Sequence, residues 1–162
     1  MAKQFQGILL ALVFLAGCQS QTKQALEFNN QMVAKETSLA SIMREANIRM
    51  SGYLANADYE KIAADSRHIE ELFQNKIDEL ESMPVPPARG AGEFKTAYIA
   101  YFNYLKSIYT GYARLGDESA AGQKTQILDD VQAIINKKDS VLEATRKSQQ
   151  VFARANGFQV KN

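Results

Sequence analysis

Apolar residues recur along this chain at the spacing of one helix face, and the recurrence breaks only where proline or glycine gathers. That pattern confines the chain to packed helices. In the first stretch Ala25, Met32, Leu39, Ala46 and Tyr53 lie seven apart, with Phe28, Ile42, Met43 and Met50 on the same face. Ser51-Gly52 and Asn56 mark a stop and a new N-cap, since glycine accepts the left-handed conformation and asparagine can accept from free N–H groups. The second stretch carries Tyr59, Ile62, Ile69, Leu72, Phe73, Ile77 and Leu80 and runs into Met83-Pro84-Val85-Pro86-Pro87. Those prolines lack the N–H a helix needs and restrict the residue before each of them.

After Gly90-Ala91-Gly92 a third stretch steps by fours and threes through Phe94, Tyr98, Tyr101, Leu105, Ile108, Tyr112 and Leu115. Gly116 and Gly122 bracket a loop, and a fourth helix presents Ile127, Leu128, Val131, Ile134, Ile135, Val141, Leu142 and Phe152 before the C-cap Asn156-Gly157. Alternation at period two is absent, so strands are not expected. The fold class is all-α: an up-down-up-down antiparallel four-helix bundle over residues 24–158, with helices at about 24–52, 57–83, 92–115 and 123–156 and a tail at 159–162. Three short reversals would bring residues 84–92 and 158–162 to the end where the bundle starts. Residues 52–58 and 116–125 would then lie at the other end, roughly 40 Å away at 1.5 Å per residue.

A chain of 162 residues has room for one domain of ordinary size. Its N-terminus has signal-peptide anatomy: Met1–Gln6 with a cation at Lys3, the apolar run Ile8–Ala16, and the small-residue end Ala16-Gly17-Cys18. The apolar run is too short for a permanent span, which takes about 18–20 residues. Leu15-Ala16-Gly17-Cys18 resembles the lipobox of bacterial lipoproteins. The resemblance implies cleavage of residues 1–17, a diacylglyceryl group on the Cys18 sulfur, often an added amide-linked acyl chain such as palmitate, and a short tether over 18–23. Two or more chains hold a protein far more firmly than one. Cys18 is the sole cysteine, so no intramolecular disulfide competes for it. Gln19 stands where aspartate is associated with retention at the inner membrane, which points to the outer membrane and the periplasm or cell surface.

The charges exclude a polyanion binder. Lys and Arg number 19 against 18 Asp and Glu, and removing residues 1–17 takes away only Lys3, leaving 18 of each. Catalysis fares no better: the one histidine, His68, sits among Arg67, Glu70 and Glu71 and reads as a surface residue. Asp65 and His68 are the nearest approach to a di-iron motif, and no second histidine completes it. A single cysteine cannot hold a covalent haem. No enzyme activity, cofactor or metal is therefore expected. Pro84 and Pro87 have PxxP spacing, and a rigid connection between helices is the simpler reading.

The most unusual local composition is Tyr98, Tyr101, Phe102, Tyr104, Tyr109 and Tyr112 on one helix. Tyr98, Tyr101 and Tyr112 share the seam, whereas Phe102 and Tyr109 lie beside it and Tyr104 elsewhere. Aromatic rings suit interfaces, which makes Phe102, Tyr104 and Tyr109 a candidate interaction surface; a wide core face with phenol groups reaching solvent is the simpler reading.

The lipobox, Glu81-Ser82-Met83-Pro84, the run from Phe94-Lys95-Thr96-Ala97 to Tyr101-Phe102, and the ending Gln150–Phe158 together resemble small helical surface lipoproteins of Gram-negative bacteria, including spirochaetes. That resemblance implies a four-helix envelope domain with no assigned activity and no catalytic residues. The expected function is a membrane-anchored, non-enzymatic module that binds an envelope protein or serves a structural role. The competing expectation is a carrier of an apolar small molecule or lipid inside the bundle, where methionine- and tyrosine-lined helices part to form a pocket.

Overall fold

A computed structural model describes the backbone of residues 6–117 and 121–160, and the side chains of 20–117 and 122–160. Among the described residues the chain is all-helical, without strands. Its helices are α1 (Gln6–Ala55), α2 (Tyr59–Ser82), α3 (Ala91–Ala113) followed by a 3₁₀ turn (Arg114–Gly116), α4 (Ala121–Ile135) and α5 (Lys138–Ala155).

Cross-helix pairs show that neighbours run antiparallel. Lys35 meets Glu79 and Arg49 meets Asp65, each at 2.7 Å, so α1 rises as α2 falls. Lys106 donates to Gln74 at 2.6 Å and Thr110 to Glu70 at 2.8 Å, reversing α3 on α2. Arg114 faces Asp130, and Phe94 stacks on Phe152 with ring centroids 4.7 Å apart, which sets α4 and α5 against α3. Gln149 donates to Asn29 at 2.9 Å and closes α5 onto α1.

The core has two parts. Phe28, Phe94 and Phe152 form an aromatic trio near the start of the bundle and continue through Phe73, Phe102 and Tyr109. Met50, Ile62, Leu115, Ile127 and Val131 fill the far end. Each fully buried aliphatic or Phe side chain contributes about 1.5–3 kcal/mol. The surface ion pairs add much less, about 0–1 kcal/mol each. Gly111 of α3 faces α4, and a Cβ there would stand 2.5 Å from Val131 Cγ2. The absent side chain thus allows α4 to lie against α3.

Helix ends follow local chemistry, with three departures from the expected boundaries. Residues 18–23, expected as a tether, lie within α1. No proline or glycine separates Cys18 from Ala25, so nothing stops the helix. At the other end α1 passes through Gly52 and stops at Ala55. The Asn56 side chain turns back to the Gly52 carbonyl at 2.8 Å, and Ala57 takes the left-handed conformation at φ 52°. Asp58 is the N-cap of α2, accepting from the Lys61 N–H.

The expected fourth helix is two, α4 and α5, broken at Asn136 and Lys137. The Tyr104 hydroxyl donates to the Ile135 carbonyl at 3.3 Å, occupying an acceptor that a continuous helix would use. Met83 is extended before Pro84, as the proline run predicts. Gly157 has φ 75°, its N–H bonds the Arg154 carbonyl, and the Phe158 N–H bonds the Ala153 carbonyl: a Schellman cap, sealed by Phe158 against Phe152.

The end of the bundle that holds this cap also gathers the beginning of its described side chains. Gln21 Nε2 donates to the Pro87 carbonyl at 2.6 Å, and Thr22 Oγ1 lies 3.7 Å from where a Cβ on Gly157 would stand. Asn156 ties α5 to the residue before Gly90, donating to the Arg89 carbonyl at 2.8 Å and accepting from the Arg89 N–H.

Candidate ligand groove

The interior face of α1 changes character halfway along. Phe28, Met32 and Leu39 are buried. Past them Ala40, Met43, Asn47 and Ser51, spaced by three and four residues, share one side of the helix. Two are polar and one is small, so this side cannot fill the volume that a run of leucines would.

A groove of about 550 Å³ opens there, in the usual range of small-molecule sites. Leu39, Ala40, Met43, Asn47 and Ile48 of α1 form one wall, and Tyr101, Phe102 and Leu105 of α3 form the other, with Phe73 of α2 beneath. A second cavity of about 290 Å³ adjoins it, bordered by Met50 and Leu54, by Ile108 and Tyr112, and by Ile135 and Lys138 at the break between α4 and α5. Met43, Asn47, Ser51 and Leu105 line both, so the two form one trough.

The trough is apolar with few charges. Glu36 is the acid at one end and accepts from the Tyr98 hydroxyl at 3.3 Å. Burial, and then the Glu36 carboxylate, push the Tyr101 phenol up to about 12; the same causes raise Tyr98. Both rings therefore stay neutral donors at physiological pH. Arg44 at the rim, and Lys138 at the other cavity, have no ion-pair or hydrogen-bond partner among the described residues. No histidine or cysteine borders the trough, and no nucleophile–base pair is present in it. Among the described residues no group of three or more His, Cys, Asp or Glu side chains could hold a metal ion, and no helix is long and apolar enough to cross a membrane.

The residues singled out from sequence fall differently. The side chains of Leu15, Ala16, Gly17 and Cys18 lie outside the described residues. His68 is exposed on α2. Phe102 and Tyr109, candidates for an interaction surface, are in the core at 1 % and 4 % exposure, as the wide core reading has it. Both pack on Phe73, edge-on at 6.1 Å and stacked at 5.7 Å, because α2 supplies a partner ring that the seam of α3 alone does not reveal. Tyr104 is half-buried and engaged with Ile135. The residues sequence reasoning missed are Glu36, Arg44, Asn47 and Lys138. Asn47 and Ser51 interrupting a stripe four and eight residues after Met43 were the available signal.

No family model, curated protein or solved structure matches this chain.

Proposed function

We propose that this chain is a non-enzymatic binding protein of the bacterial cell envelope that carries an apolar small molecule between α1 and α3. The observation behind this reading is the groove of Met43, Phe73, Phe102 and Leu105, with a volume of about 550 Å³ and an apolar floor. With Phe102 and Tyr109 buried, a surface built on them loses its basis, and the carrier becomes the better account.

The lipobox-like residues Leu15-Ala16-Gly17-Cys18 support removal of residues 1–17 and attachment by lipid on Cys18, with Gln19 favouring the outer membrane. We read the mature domain as an up-down-up-down four-helix bundle, with α4 and α5 together as its fourth member. Native mass spectrometry of protein taken from its host should find a stoichiometric apolar ligand. A spectrum of ligand-free protein, together with an Ala40→Trp variant that behaves identically in every binding assay, would end this reading. An envelope protein partner is the second reading, favoured by Ile48, which is 69 % exposed on the groove rim. Its test is crosslinking from position 48 in intact envelopes.

A further inference from the structure

We infer that the ligand is a single-chain amphiphile with a carboxylate head, the head at the rim against Arg44 and the acyl tail lying on Phe73, Phe102 and Leu105. This rests on the carrier reading above and specifies its ligand.

Three features carry it. The floor of Phe73, Phe102 and Leu105 is hydrocarbon and aromatic, which suits an acyl tail, while the polar groups Glu36, Asn47, Ser51 and the Tyr101 hydroxyl belong to the walls. The trough is long: its α1 wall runs from Glu36 to Leu54, about 27 Å at 1.5 Å per residue, and Arg44 stands about 12 Å from one end and about 15 Å from the other, so a tail bound from Arg44 lies along the wall. The charges are asymmetric. The lining acid, Glu36, accepts from the neutral Tyr98 hydroxyl and keeps its charge at one end, about 12 Å along α1 from Arg44 at 1.5 Å per residue, whereas the two cations Arg44 and Lys138 have no partner among the described residues. Arg44 presents a planar fork of donors that matches a carboxylate. A cationic head would meet an unpaired cation at either cavity, Arg44 at one and Lys138 at the other.

The test uses the full chain in lipid nanodiscs and hexadecanoate carrying a mid-chain diazirine. Photolysis should label residues of the groove floor, foremost Phe102 and Leu105, and Ala40→Trp should remove the labelling by filling the groove from its exposed rim. Unlabelled hexadecanoate should compete at about one-tenth the concentration of hexadecan-1-ol, because a charge-assisted bond to the head is lost in the alcohol. In Arg44→Gln that ratio should fall toward one while competition by the alcohol is unchanged; Arg44 is at the surface, so folding is not at risk. Groove labelling with equal competition by acid and alcohol would overturn the head assignment and leave the carrier reading standing. Labelling that ignores Ala40→Trp would overturn both. A dimer abolished by Ala40→Trp would assign the groove to a second copy and overturn the proposal.

Discussion

Two backbone positions show how much a single side chain decides. Ala57 sits at φ 52°, a conformation that costs an L-residue roughly 1–2 kcal/mol and a glycine almost nothing. Ala57→Gly should raise stability by about 1 kcal/mol in urea unfolding; a loss would mean that the turn gains from the alanine methyl more than it loses. At Gly111 the sign reverses. Ala there places a methyl 2.5 Å from Val131 Cγ2, so Gly111→Ala should cost about 1–3 kcal/mol. Pairing it with Val131→Ala should recover part of that loss; a double mutant whose losses simply add would show that the clash is not the cause.

Titration of Tyr101 belongs to the same scale. Its folded value of about 12 lies above the ordinary value of 10, so the folded state keeps its proton after the unfolded chain has released it. The contribution is fully present below about pH 10 and is lost as pH rises toward 12. Tyr98, raised by the same causes, adds to it. Chemical denaturation across pH 9 to about 12 should show a decline in stability that Tyr98→Phe with Tyr101→Phe flattens.

At the scale of helices, the existence and order of the elements were legible because apolar spacing and breakers are local signals. The Pro84 break and the Gly157 cap needed nothing beyond the chain itself. What was illegible depended on partners far along the sequence. The end of α4 is coupled to Tyr104, thirty-one residues earlier, and no pattern around Asn136 announces that bond. Gly52 reads as a stop because glycine often is one, yet the helix continues and the strained position falls at Ala57. Phe102 and Tyr109 lie beside the seam of α3, where a wide core face and an interaction surface both fit the spacing; Phe73, on another helix, is what decides for the core. The groove was illegible for the same reason, since a missing contact between α1 and α3 depends on both. Asn156 provides a test of element docking. It joins α5 to Arg89 by donating from Nδ2 and accepting at Oδ1, so Asn156→Ala should cost about 1–3 kcal/mol and speed amide exchange around Arg89–Ala91. Unchanged exchange there would show that the loop is held by other contacts.

For the whole molecule, the position of the proposed anchor sets an orientation. Gln21, Pro87 and Gly157 share one end of the bundle, the end nearer Cys18, and Ala57 belongs to the other. Cysteines placed singly at Ala88 and Ala57, with Cys18 retained and lipidated, should differ when a fluorophore on them is quenched from the bilayer surface, Ala88 strongly and Ala57 weakly. Equal quenching would mean that the bundle lies along the membrane.

The proximity of Thr22 to Gly157 also makes the described chain a near-closed loop, in which the order of the helices is separable from their packing. A circular permutant, joined from Val160 to Ser20 by a short Gly-Ser linker and opened between Ala57 and Asp58, should keep the helical circular-dichroism spectrum and cooperative unfolding of the parent. It would carry its new ends at the pole opposite the proposed anchor. Because the permutant leaves out Cys18 it lacks the proposed anchor, so a label fused there would report on the free bundle at the pole far from Thr22.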